Sequence, residues 1–121
     1  MKIYTSFYGN RKIANYIKVS ISCSAPKDMV LDGKIELLAP GASILYGHKK
    51  GVISTETYTK EYLHKLNSNR EIIIETMRQV WRNAKGRNIV LLCWEGKNKF
   101  CHRHLFAKWF FEQTGYQIEE L

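Results

Sequence analysis

The sequence predicts a single α/β domain over residues 1–121, a sandwich with a mainly parallel central sheet flanked by helices. Three observations predict it. Extended and helical patterns follow one another as strand, strand, loops, helix, helix, strand, helix, strand, an order that layers helices on a sheet. Ile89 to Cys93 is nearly continuous apolar, as a central strand covered on both faces requires. Two segments between Thr55 and Gly86 repeat apolar residues every three or four positions, the helical period.

Each element has its own warrant. Lys2 to Phe7 is rich in β-branched and aromatic residues and ends at the turn pair Gly9-Asn10, so it is expected to be a strand. Tyr16 to Cys23 places Ile17, Val19 and Ile21 at alternate positions and stops before Pro26, which predicts a second strand with one buried face. From Ala25 to Ile53 the chain is interrupted by Pro26, Gly33, Pro40, Gly41, Gly47 and Gly51, and is read mostly as loop with short apolar pieces such as Ile35 to Leu38. A helix is expected from Thr55, carried by Tyr58, Tyr62, Leu63 and Leu66. Ser68 and Glu71 form a capping-box pair that opens another, with Ile72, Ile73, Met77, Val80 and Trp81 as its core stripe and Gly86 as its stop. Phe100 to Thr114 is the last helix, closed by Gly115, and Tyr116 to Glu119 a short final strand.

Composition narrows the function classes. With 121 residues, 45% hydrophobic and 25% charged, the chain has the make-up of one globular domain. No apolar run nears the roughly 20 residues of a membrane span, and Lys2-Ile3-Tyr4-Thr5 reads as a strand rather than a signal segment, so a cytoplasmic location without membrane attachment is expected. Cys23, Cys93 and Cys101 are an odd set in such a chain, and free thiols are the expected state. The net charge of +8 favours nucleic acid or a phosphorylated small molecule as partner, with a merely solvated basic surface as the plain alternative.

The densest chemistry lies between Asn88 and Phe110. A strand ends on Cys93, a polar loop follows, and a helix opens on Cys101-His102-Arg103. Ligands of parallel sheets bind outside the carboxyl ends of strands, which is where Cys93 stands. A helix beginning near Phe100 presents unpaired amides, so Trp94 to Lys99 is a natural anion cradle reinforced by Lys97, Lys99 and Arg103. Glu95 is the only carboxylate of the loop and the candidate acid or base; a surface ion pair with Lys97 is its plain alternative. Cys93 and Cys101 are candidate nucleophiles or small core residues. His102 is a proton shuttle, a substrate-orienting group or a core contact, whereas His104 is expected nearer solvent. Phe106, Trp109 and Phe110 have core spacing.

Two specific chemistries fit poorly by spacing. A cysteine phosphatase needs five residues between Cys and Arg, and that position after Cys93 holds Lys99. Zinc ligation is disfavoured because seven residues separate Cys93 from Cys101 and because His102 and His104, two apart on a helix, face different ways. No metal and no cofactor is therefore expected.

The pieces Leu92-Cys93-Trp94-Glu95 and Cys101-His102-Arg103 resemble domain-of-unknown-function family 488, whose members end an apolar strand on Leu-Cys-x-Glu and open a helix on Cys-His-Arg. Ile3 to Ser6, Val19 to Ser22 with Pro26, and Tyr58 to Leu66 extend the likeness over most of the chain. The resemblance implies a compact α/β fold with these residues grouped in one pocket, and no particular activity. Longer members often carry Asp-Val-Arg after the second strand, and Val19 to Ser22 lacks both charges. The expected function is an enzyme acting on a nucleotide or nucleic acid. A non-catalytic nucleotide or nucleic-acid binding module is the alternative, with a zinc-stabilised interaction module third.

Overall fold

The structure, a computed structural model, describes residues 1–121. Five strands form one wholly parallel sheet in the order β3-β2-β4-β1-β5: β1 Ile3–Phe7, β2 Ile17–Ser20, β3 Gly33–Lys34, β4 Ile89–Cys93 and β5 Glu119–Glu120. The apolar run of β4 is buried along its whole length because it pairs with β1 on one side and β2 on the other. Alternate side chains of β4 then enter two cores. Ile89 and Leu91 join Ile3, Val19 and the helices, while Val90 and Leu92 face Tyr8 and Ile13 under a cover of loop residues such as Met29 and Leu31.

Four helices follow the strands: α1 Ala42–Lys49, α2 Thr55–Ser68, α3 Arg70–Asn83 and α4 His102–Thr114. Ser54 caps α2 by accepting from the Thr57 amide, and Tyr58, Tyr62 and Leu66 bury one face of that helix. Gly115 ends α4 at φ 77°, a left-handed conformation suited to glycine. No helix is long and apolar enough to cross a membrane.

Several expectations are corrected. The segment read as loop from Ala25 to Ile53 contains α1, β3 and a short 3-10 turn at Glu36–Leu38. Helix α1 is short, buries no residue fully, has no side-chain cap, and carries Gly47 in its interior. That glycine is needed for packing, since a Cβ there would lie 2.5 Å from Ile53 Cδ1. The proposed capping box also fails: Ser68 is the last residue of α2, and Asn69 is the junction from which α3 starts. In α3 the buried stripe is Ile73 and Met77, with Ile72 and Trp81 exposed. The last helix starts two residues later than expected, with Cys101 as its extended N-cap, and the final strand is only Glu119–Glu120.

Candidate active site

A cleft of about 310 Å³ opens at the carboxyl ends of β2 and β4. Chain connections leave these neighbouring strands in opposite directions, β2 towards β3 and β4 towards β5, which is the switch point where open parallel sheets hold ligands. Its walls come from four places. Ser22, Cys23 and Ser24 follow β2; Trp94 and Glu95 follow β4; and Pro40, Leu45, Tyr46 and Lys49 come from α1 and its entrance, with His102 from α4. Glu95 and His102 thus share one concavity.

The wall after β2 is a hydroxyl network. Tyr8 Oη lies 2.7 Å from Ser20 Oγ and 2.5 Å from Ser22 Oγ, and Ser22 Oγ donates to the Ser24 carbonyl. Trp94 Nε1 donates to the same carbonyl at 2.9 Å, and its ring meets Tyr8 edge-on at 4.9 Å. These bonds fix the indole at the rim, where it remains 45% exposed. Cys23 donates to the Pro40 carbonyl.

Arg103 is placed differently from the expectation that it faces an anion. It is fully buried, and its donors are engaged from within: Nε and Nη2 on the Glu120 carboxylate at 3.0–3.1 Å, Nη1 on the Glu95 carbonyl at 2.6 Å and on Cys93 Sγ at 2.9 Å, and Nη2 on the Gly96 carbonyl at 3.1 Å. The planar fork suits this multi-point task. Arg103 therefore shapes the loop after β4 from behind and adds positive charge beside Cys93, a contact that the linear spacing of a phosphatase loop did not foresee. Lys97 and Lys99 are exposed on that loop, Glu95 forms no ion pair with Lys97, and Asn98 turns the chain at φ 68°.

His102 is buried, with Nε2 2.6 Å from the Ile21 carbonyl and Nδ1 3.6 Å from Cys101 Sγ. Burial, followed by the Arg103 charge, lowers its pKa to about 4 against the opposing effect of the Ile21 bond. The ring is neutral at pH 7. A carbonyl only accepts, so Nε2 carries the proton and Nδ1 keeps its lone pair. His104 is half-exposed near Glu120, and burial together with Arg103 lowers its pKa as well. Burial raises the Tyr58 pKa, as does the charge of Glu95.

The free-thiol expectation is corrected for two of the three cysteines. Cys93 and Cys101 bring their sulfurs together across a Cα separation of 7.8 Å, and Cys23 stands alone. Although seven residues separate the two cysteines, Cys93, Cys101 and His102 offer ligand atoms all within 4.8 Å of one another, because one cysteine ends a strand and the other caps the helix that returns over it; His104 is not among them. Phe106, Trp109 and Phe110 are core residues, as expected.

A match to the DUF488-N3a family, described as the active DUF488-N3 subclade, covers residues 8–114. The chain belongs to this family. The matched span contains β2, the cleft, Cys93 and the Cys101-His102-Arg103 start of α4, so the DUF488-N3a region includes nearly all of the site, with Glu120 beyond it. No curated protein and no solved structure matches the chain.

Sequence reasoning missed Tyr8, Ser22, Ser24, Tyr46, Lys49 and Glu120. Tyr8 and Ser22 were identifiable in principle, since each lies just beyond the carboxyl end of a strand. Tyr46 and Lys49 were hidden with α1, and nothing local links Glu120 to Arg103.

A second hollow, about 340 Å³, lies at the other end of the sheet against Ile3, Met77, Trp81, Phe110 and Tyr116. It contains Arg78 and Arg82 but no thiol, imidazole or carboxylate.

Proposed function

We propose that this DUF488-N3a chain is an enzyme acting on a nucleotide or on nucleic acid, with the cleft between β2 and β4 as its active site. The observation that carries the reading is the meeting of Glu95 and His102 in a concavity at the sheet's switch point. A non-catalytic binder has no need to gather an acid and a neutral imidazole. Trp94 and Tyr46 offer exposed aromatic faces at the rim, and base stacking on such faces contributes about 1–3 kcal/mol per base. Lys49 in the wall and Lys97 and Lys99 on the adjoining loop supply charge for phosphate. Glu95 acts as acid or base, and Arg103 positions it through the Glu95 and Gly96 carbonyls instead of touching substrate.

The test is a thermal-shift screen of mononucleotides and short oligonucleotides, followed by mass analysis of each stabilising ligand after incubation. A ligand at 100 times its Kd is expected to stabilise the wild type by about 2.7 kcal/mol. Trp94→Ala is expected to remove that stabilisation, whereas Glu95→Gln keeps it and loses turnover. A ligand that stabilises Trp94→Ala and Lys49→Ala as well as wild type would place binding elsewhere. Stabilisation without product would support the binding-module alternative.

A further inference from the structure

Behind the cleft, Cys93, Cys101 and His102 form a buried group whose members come from a strand end, a helix cap and the first helical turn. We propose that the reduced Cys93–Cys101 pair and His102 Nδ1 bind a thiophilic divalent cation of the zinc class. The donor set is two sulfurs and one imidazole nitrogen, which such an ion prefers over harder oxygen ligands.

The histidine is oriented as a metal ligand needs. Its Nε2–H is held by the Ile21 carbonyl at 2.6 Å, and a backbone carbonyl on the far nitrogen is the usual partner that fixes a ligating ring. Nδ1 points at the sulfurs, its sole partner being Cys101 Sγ at 3.6 Å. Arg103 Nη1 donates to Cys93 Sγ, the contact expected around a ligating thiolate, while the Arg103 charge is offset by Glu120.

In the reduced pair the backbone spacing suits an ion. The Cα atoms of Cys93 and Cys101 are 7.8 Å apart, whereas bridged cysteines usually lie within about 4.4–6.8 Å. Charge also balances, since two thiolates and a neutral imidazole around a dication sum to zero. Three protein ligands leave a fourth position for water, the arrangement of catalytic rather than structural zinc, and His102 borders the cleft from which water enters.

The test uses the whole chain, reduced and stripped of metal, and titrates it with Co²⁺ alone. Binding of about one equivalent with intense tetrahedral visible bands and a thiolate charge-transfer band is expected, with Zn²⁺ displacing the cobalt. Cys101→Ser is expected to lose the charge-transfer intensity and His102→Ala to shift the visible bands, whereas Cys23→Ser leaves both unchanged. Should Cys101→Ser not fold by circular dichroism, alkylation of the wild type in urea at its unfolding midpoint, where the buried thiols become reachable, decides: Zn²⁺ protecting Cys93 and Cys101 but not Cys23 supports the site. A reduced wild type without tetrahedral bands, a folded Cys101→Ser with the wild-type spectrum, or alkylation unaffected by Zn²⁺ would each overturn it. These readouts need no nucleotide, so they stand apart from the screen above.

Discussion

Replacing Arg103 with methionine tests whether this residue is an internal brace or a ligand-facing cation. Methionine keeps much of the side-chain volume, so the loss is mainly of charge and hydrogen bonds. It takes the guanidinium away from the Glu95 and Gly96 carbonyls and from the Glu120 carboxylate, which keeps only the Thr5 hydroxyl at 2.6 Å. Removing one member of a buried ion pair costs about 3–5 kcal/mol, and Glu120 is 24% exposed, which moves the expectation towards the lower end, about 3 kcal/mol. For a chain of 121 residues that corresponds to a fall in Tm on the order of 10 °C. The assay is urea unfolding followed by tryptophan fluorescence for wild type, Arg103→Met, Glu120→Gln and the double variant. A coupling of about 1–3 kcal/mol is expected from the cycle. A coupling near zero, together with an Arg103→Met cost below about 1 kcal/mol, would refute the brace; inorganic phosphate stabilising wild type but not Arg103→Met would then restore the anion-binding role.

Acidification acts on His102. Its folded pKa of about 4 lies below the ordinary 6.5, so between these values the unfolded chain binds the extra proton, and stability present above pH 6.5 is lost as pH falls towards 4. The contribution is on the order of 3 kcal/mol, read as the pH dependence of the stability difference between metal-free wild type and His102→Gln; a flat difference over this window counts against it. Tyr62→Phe removes a buried donor from the Leu38 carbonyl, 2.7 Å away, and is expected to cost about 1–3 kcal/mol in chemical denaturation, with no measurable loss as the contrary outcome. Gly115→Ala places a Cβ at φ 77° where no atom lies within 4 Å, so a purely conformational cost of about 1–2 kcal/mol is expected, smaller for Gly115→Asn.

What the sequence made legible follows from the range of the forces involved. β4 was readable because burial on both faces leaves a contiguous apolar run, and α2 because one buried stripe imposes the helical period on Tyr58, Tyr62 and Leu66. α1 was not, since Gly47 is dictated by Ile53, a residue outside the helix. The α3 stripe was overread because Ile72 and Trp81 are apolar yet exposed, and periodicity cannot tell which half of a broad apolar face is covered. At the site, local density pointed to the segment in which Cys93, Cys101 and His102 approach one another and Glu95 and His102 border one cleft. The inward turn of Arg103 was not, because its partner Glu120 is 17 residues away, and composition near the motif is silent about such a partner.

The sheet order has a consequence for how the chain assembles as it is synthesised. β1 is the first strand made, yet its neighbours are β4 and β5, and β2 also joins the rest of the sheet only through β4. Until Ile89–Cys93 emerges, the first strand has no partner to pair with, and until Glu120 emerges Arg103 has no counter-charge. Pairings of such long sequence separation close slowly. The nascent chain must therefore carry an exposed β1 through most of its synthesis, and the loop after β4 takes its final shape among the last events of folding.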